Sequence, residues 1–273
     1  MSKKHFNFSS VSRRGFIQTA GMAAIAPIIP DLAFAQAGPG AALATSSKGM
    51  VTSPHELATK AGLKVLQSGG NAIEAVIAIS SCLSVTYPHF SGYGGDAFMI
   101  ISDASGKAQT ISGIGQAPQD ISGYSGSIPF RGPKSMLTSA AYVDTLGKAY
   151  EISKKDLHGK KSWSSLLNPA IKLAKDGFPV SESEVFWLNF RLKEMGSLPG
   201  VESGYLINGK VPTVGEIFKQ PKLAKTIEMI AERGHRDFYE GKLAAILAKG
   251  LKEAGSPLTA QDLALTQAQI EPP

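Results

Sequence analysis

Cysteine is almost absent from this 273-residue chain: Cys82 stands alone, so no internal disulfide can form. It falls in an apolar run with no base beside it, where a free thiol behaves as a small hydrophobe. Clustered metal ligands are lacking too. His5, His55, His89, His158 and His235 are scattered, and the zinc-protease start His55-Glu56 fails at Thr59, where a second histidine is needed. No G-x-S-x-G elbow and no phosphate-binding loop occurs. Gly92, Gly94 and Ala97 spell G-x-G-x-x-A, but a dinucleotide site needs a strand before the glycines and a helix after them. Here the order is helix then strand, so neither a nicotinamide nor a flavin is expected, and no cofactor at all. The glycines are read instead as allowing close backbone approach beside a substrate pocket.

An excess of one charge is also missing once the N-terminus is set aside. Residues 1–35 carry four basic and one acidic side chain, and the remainder carries twenty-four and twenty-one, so half of the formal +6 belongs to the first segment. That balance argues against a nucleic-acid partner. Long apolar runs are lacking as well. Gln18, Thr19, Pro27, Pro30 and Asp31 interrupt the first one, so no stable membrane anchor is expected.

What the first 35 residues do contain is an address. Lys3 and Lys4 precede Ser12-Arg13-Arg14-Gly15-Phe16-Ile17, a twin-arginine export pattern. A mildly apolar segment follows, and Ala33-Phe34-Ala35 supplies small residues for cleavage after Ala35. The expected location is a bacterial periplasm or the medium. Residues 36–47, mostly Ala, Gly, Ser and Thr, form a flexible lead-in.

The stretch Met50 to Ser102 organises the rest. Ser53, Pro54 and Glu56 make a helix-start signature, with Ser53 as cap, and Ala58, Ala61, Val65 and Leu66 recur at helical spacing. Gly69-Gly70 stops that helix and Asn71 caps the next, which runs from Ala72 to about Val85. It is apolar on nearly every face yet too short to cross a bilayer, so it should be buried in protein. Pro88 ends it. A glycine-rich bend, residues 91–95, leads into a strand over Ala97–Ser102, and a turn at 103–107 returns a second strand over Ala108–Ile111. Residues 112–138 look irregular. Helical patterns follow at 139–153, 163–175, 180–195, 221–233 and 239–254, the last stopped at Gly255, with a short strand at Tyr205-Leu206-Ile207 before an Asn208-Gly209 turn.

The wording of these segments resembles one family. Gly69-Gly70-Asn71-Ala72 with Glu74-Ala75, Ser91-Gly92 with Gly94-Gly95, and Ala97-Phe98-Met99 resemble the large-subunit portion of the gamma-glutamyltranspeptidase family. Later pieces agree in order: Asn168-Pro169-Ala170-Ile171, Asp176-Gly177-Phe178-Pro179-Val180, Lys222-Leu223-Ala224, Phe238-Tyr239 with Gly241, and Thr259 with Asp262-Leu263. The likeness covers 48–273, which is taken as a partial large subunit. It implies an α/β fold, part of the αββα sandwich of the N-terminal nucleophile hydrolases, in its helix-rich half. It also implies a precursor that cuts itself to expose an N-terminal threonine on a small subunit. That threonine, its free amine serving as base, attacks a gamma-glutamyl amide and passes the acyl group to water or an amine. The resemblance puts this nucleophile beyond Pro273, so no catalytic residue is expected in this chain and the small subunit is its expected partner. Thr226 and Thr259 are read as structural.

One departure bears on the substrate. Family transpeptidases place an arginine shortly before an Ala-Pro pair, where it holds the glutamyl carboxylate. The matching stretch here is Ile114, Gly115, Gln116, Ala117, Pro118, with no arginine between Ile111 and Phe130, and Arg131 the first downstream. Isoleucine cannot imitate a bidentate cation. Ile114, Gly115 and Gln116 are thus the expected substrate-pocket residues of a divergent branch. Three readings follow: a gamma-glutamyl hydrolase or transferase, a relative acting on another small amide such as oxamate, or a non-catalytic remnant or binding module.

Overall fold

The computed structural model describes residues 45–135 and 137–272. The export pattern, the Ala35 cleavage position and residues 36–44 of the lead-in lie outside the described residues. The chain divides at Lys48, and the unit Lys48–Pro273 holds every element named below.

Helix α2 (Ala72–Thr86) is the centre, and its first turn explains why it starts where it does. Asn71 Oδ1 accepts from the Glu74 amide and Glu74 Oε2 accepts from the Asn71 amide, each at 2.9 Å, a reciprocal capping box. Glu74 is fully buried, and its other oxygen accepts from the Lys161 amide at 2.7 Å. A carboxylate there also meets the positive end of the helix. Asn71 Nδ2 donates to Ser153 Oγ at 2.8 Å, so the cap joins three segments of the chain. Beyond it Ile73, Ala75, Ile77, Ala78, Ile79, Cys82 and Val85 are buried, while Val76 is 38 % exposed, so most but not all of this apolar helix is covered by protein.

Helix α1 (Glu56–Gln67) packs on α2, as do α3 (Tyr142–Asp156) and α4 (Trp163–Asp176). Strands β1 (Ala97–Ser102) and β2 (Ala108–Gly113) pair antiparallel, Ala97 opposite Gly113 and Ser102 opposite Ala108, and lie against α3. A two-stranded patch joins β3 (Phe178–Pro179) to β4 (Ile217–Phe218), burying Phe178 and Phe218. Between these strands run α5 (Glu182–Met195) and α6 (Val201–Tyr205). The chain ends in α7 (Pro221–Arg233), α8 (Asp237–Glu240), α9 (Lys242–Glu253), α10 (Ala260–Leu265) and β5 (Gln269–Glu271), the last antiparallel to β2.

Three local readings differ from the structure for physical reasons. The cap of α1 is His55, whose Nδ1 accepts from the Leu57 amide at 3.3 Å; Ser53 Oγ donates to the His55 carbonyl instead. The expected strand at Tyr205 is the end of helix α6, although Ile207 and Lys210 do bridge across the Asn208-Gly209 turn, both of whose φ angles are positive. The helix expected over 239–254 is two helices. The Asp237 carboxylate accepts from the Lys242 and Leu243 amides at 3.0 and 3.2 Å, restarting the helix after Gly241. A Cβ on Gly241 would sit 1.9 Å from that carboxylate, so any other residue would push Asp237 off these amides.

Two predictions follow from these helix starts. Asn71→Ala removes the capping box and the Ser153 contact, and should lower unfolding free energy by about 1–2 kcal/mol in a denaturant titration. Glu184, in the first turn of α5, is fully buried, and neither carboxyl oxygen has a hydrogen-bond partner. Burial raises its pKa from an ordinary 4.5 to about 7. A raised acid stabilises the fold in its protonated form, so its contribution is complete below pH 4.5 and fades as pH rises through about 7. Glu184→Gln should flatten the pH dependence of the melting temperature across that window; an unchanged slope would remove Glu184 as its cause.

Candidate functional site

The start of β1 and the end of β2 bring the glycine bend and the 114–116 loop together. Ala97 faces Gly113 across the ladder, and just beyond it the Gly115 amide donates to Asp96 Oδ1 at 3.1 Å. The Tyr142 amide donates to the Gly95 carbonyl at 3.0 Å, tying the same bend to the start of α3. Two glycines in this corner are sterically required. A Cβ on Gly113 would lie 1.8 Å from Thr145 Oγ1, and one on Gly115 would lie 1.5 Å from the Ser139 carbonyl oxygen. Gln116 and Ser139 exchange bonds, carbonyl to amide at 2.9 Å and amide to Oγ at 3.2 Å.

The three pocket residues expected from the sequence therefore share one loop but differ in environment. Ile114 is 56 % exposed. Gly115 is jammed against Ser139. The Gln116 side-chain oxygen is buried with no hydrogen-bond partner in the described structure.

The far C-terminal residues hold the corner from behind. Thr266 Oγ1 donates to Ser139 Oγ at 2.6 Å, and the Gln119 amide donates to Asp262 Oδ1 at 2.8 Å. Buried Asp144 accepts from Arg236 Nη1 at 2.9 Å and from the Ala268 amide at 2.7 Å, which places the chain for β5. Arg236 also donates to the Thr266 carbonyl at 2.9 Å. Tyr239 Oη donates to the Ala140 carbonyl at 2.8 Å while accepting from the Asp144 amide at 2.9 Å. None of Asp96, Ser139, Asp144, Arg236 or Thr266 was marked by sequence reading, because their partners lie far along the chain.

The chemistry available is limited. Cys82 is fully buried, and burial pushes its thiol up to about 12, so it is no nucleophile at neutral pH. Thr226 Oγ1 donates back to the Lys222 carbonyl at 3.2 Å, and Thr259 caps α10 through Asp262, as read from the sequence. Among the described residues no group of three His, Cys, Asp or Glu side chains is placed to hold a metal, and no helix is long and apolar enough to cross a membrane. The four described arginines are each in ion pairs: Arg131 and Arg191 with Glu194, Arg233 with Asp237, and Arg236 with Asp144 and Glu240.

The family model described as gamma-glutamyltranspeptidase matches residues 58–273. This chain belongs to the gamma-glutamyltranspeptidase family. It is 39 % identical to the oxamate amidohydrolase proenzyme of Klebsiella pneumoniae over 80 % of this chain and 42 % of that protein. It is 37 % identical to a glutathione hydrolase-like proenzyme of Bacillus subtilis over 79 % of this chain and 41 % of the relative. The chain thus spans about two fifths of these curated relatives. Among solved structures, the gamma-glutamyltranspeptidase of Pseudomonas nitroreducens superposes with a TM-score of 0.72 at 30 % identity, covering 83 % of this chain and 67 % of that one. The Helicobacter pylori gamma-glutamyltranspeptidase gives 0.75 at 28 % identity, covering 84 % and 67 %. The fold class that the resemblance implied, the helix-rich half of an N-terminal nucleophile hydrolase αββα sandwich, agrees with these neighbours.

The loop geometry makes a differential prediction. Gly115→Ala forces a methyl into the Ser139 backbone and should cost about 1–3 kcal/mol. Ile114→Arg, at an open position, should stay within about 0.5 kcal/mol of the parent. Equal melting temperatures for the parent and Gly115→Ala would show that the loop is free to move.

Proposed function

We propose that this chain is the large-subunit portion of an exported gamma-glutamyltranspeptidase-family proenzyme that cleaves a small amide other than a gamma-glutamyl one. The acyl group is taken up by an N-terminal threonine of a small-subunit portion and passed to water or an amine. Residues 48–273 form the large-subunit part, and residues 1–35 serve as its export leader, ending at Ala35. No step in this scheme calls on a metal or an organic cofactor. The relatives' names span two substrate kinds, glutathione and oxamate, and the residues of the 114–116 loop favour the second kind.

The observation that carries the choice is Ile114, open and at or next to the position of the family's arginine, while each described arginine is engaged by an acidic side chain. Gly115 strengthens it. A Cβ there would lie 1.5 Å from the Ser139 carbonyl oxygen, so the position beside Ile114 has no room for a side chain of either charge. Losing a bidentate carboxylate contact costs on the order of 2–3 kcal/mol, about 30- to 150-fold in affinity. Gamma-glutamyl cleavage is the second reading, favoured by the names of several relatives and by the structural neighbours.

The small-subunit portion has an obvious seat in this scheme. Phe98 and Ile100 on one face of β1 are 68 % and 75 % exposed, a surface that isolated sheets cover to avoid association.

The test uses the chain joined to a threonine-initiated small subunit. That protein should cleave itself and then hydrolyse gamma-glutamyl anilide with kcat/KM about 100-fold below its best small-amide substrate. Ile114→Arg should raise gamma-glutamyl turnover about tenfold or more. Efficient turnover by the parent would return the assignment to a gamma-glutamyl enzyme, with a cation supplied from elsewhere. Failure to self-cleave would favour the non-catalytic reading.

A further inference from the structure

Between α1 and the N-terminal half of α4 lies a groove of about 360 Å³ that the family reading leaves unused. Val65 and Leu166, both buried, form its apolar floor, and Lys64, Lys161 and Lys172 stand around it with Ser165 and Asn168. The lysines that pair with acidic side chains elsewhere are Lys60, Lys175 and Lys249. The three at the groove have no carboxylate oxygen within 4.0 Å among the described residues.

Two further features raise the positive potential. Lys161 is half-buried, and its Nζ donates to the Ser68 carbonyl at 2.7 Å, which fixes the ammonium at the groove with two donors left. The 14-residue helix α4 begins here with no acidic residue in its first turn, so beyond the Ser162 cap no side chain of its own offsets its positive end. The carboxylate of the adjoining segment, Glu74, is buried and spent on the Asn71 and Lys161 amides.

Solvated surface lysines are the plainer account. The negative end of α1 does attract Lys64 and Lys161. It does not account for Lys172, which lies in the second half of α4, nor for the apolar floor between the cations.

We propose that this groove binds a small organic oxyanion, a phosphomonoester or carboxylate carried on an apolar body. The oxyanion sits among Lys64, Lys161 and Lys172, and the body lies on Val65 and Leu166. The proposal is independent of the acyl pocket and of the substrate assigned to it.

Calorimetric titration of the full chain tests it, with phenyl phosphate, benzoate and inorganic phosphate as probes. Phenyl phosphate should bind saturably with Kd on the order of 0.1–1 mM. Inorganic phosphate should bind about fivefold more weakly because it leaves the floor empty. Benzoate binding more tightly than phenyl phosphate would select a carboxylate ligand, and the reverse a phosphate. The double variant Lys64→Gln/Lys172→Gln should weaken the tighter probe about tenfold, while Lys60→Gln/Lys249→Gln leaves it unchanged. No saturable binding, equal loss in both double variants, or equal affinity for inorganic phosphate and phenyl phosphate would overturn the proposal.

Discussion

The contact on which the candidate site depends is the approach of the 113–116 backbone to α3 and Ser139. No side chain fits at Gly113 or Gly115, because Thr145 and the Ser139 carbonyl already fill the space. That closeness is held by hydrogen bonds from opposite directions. Asp96 accepts from Gly115 on the glycine-bend side, and Ser139 is held on the other by Gln116 and Thr266. Without the C-terminal clamp of Asp144 and Arg236, Thr266 would not be placed to reach Ser139. The loop proposed to bear on substrate choice is thus shaped in part by residues more than a hundred positions away.

The same logic operates at the core. Helix α2 is buried over most of its surface, with Glu74 in its first turn fully buried, so its N-terminal amides take partners from protein. Asn71 and Glu74 supply them, and Glu74 then ties in the Lys161 amide from the loop ahead of α4. A buried carboxylate is acceptable here because amides and the helix end meet its charge. Glu184 has no such partners, and its pKa rises instead.

Signals contained within a few residues were legible in the sequence. The Asn71 cap, the strand Ala97–Ser102, the Asn208-Gly209 turn and the length of α7 follow from capping, alternation and turn chemistry. Family wording carried the reading further, to the 114–116 loop. What was hidden depends on distant partners or on competition between nearby caps. His55 displaced Ser53 as the cap of α1, and Asp237 split one expected helix into α8 and α9 by offering its carboxylate to two amides. The two-residue pairing of β3 with β4 and the network around Asp144 have no local signature at all.

Among the described residues, the loop proposed to face substrate is held by its supports, Cys82 is sealed in the core, and Thr226 and Thr259 are committed to helix structure. The proposed function places the reacting hydroxyl on the small-subunit portion, and that is the claim to test. The most direct measurement is amide hydrolysis by purified residues 36–273 alone, followed over many turnovers with gamma-glutamyl anilide, oxamate and simple amides. The account predicts no release above the buffer rate. Sustained release of amine or ammonia from any of them would contradict it.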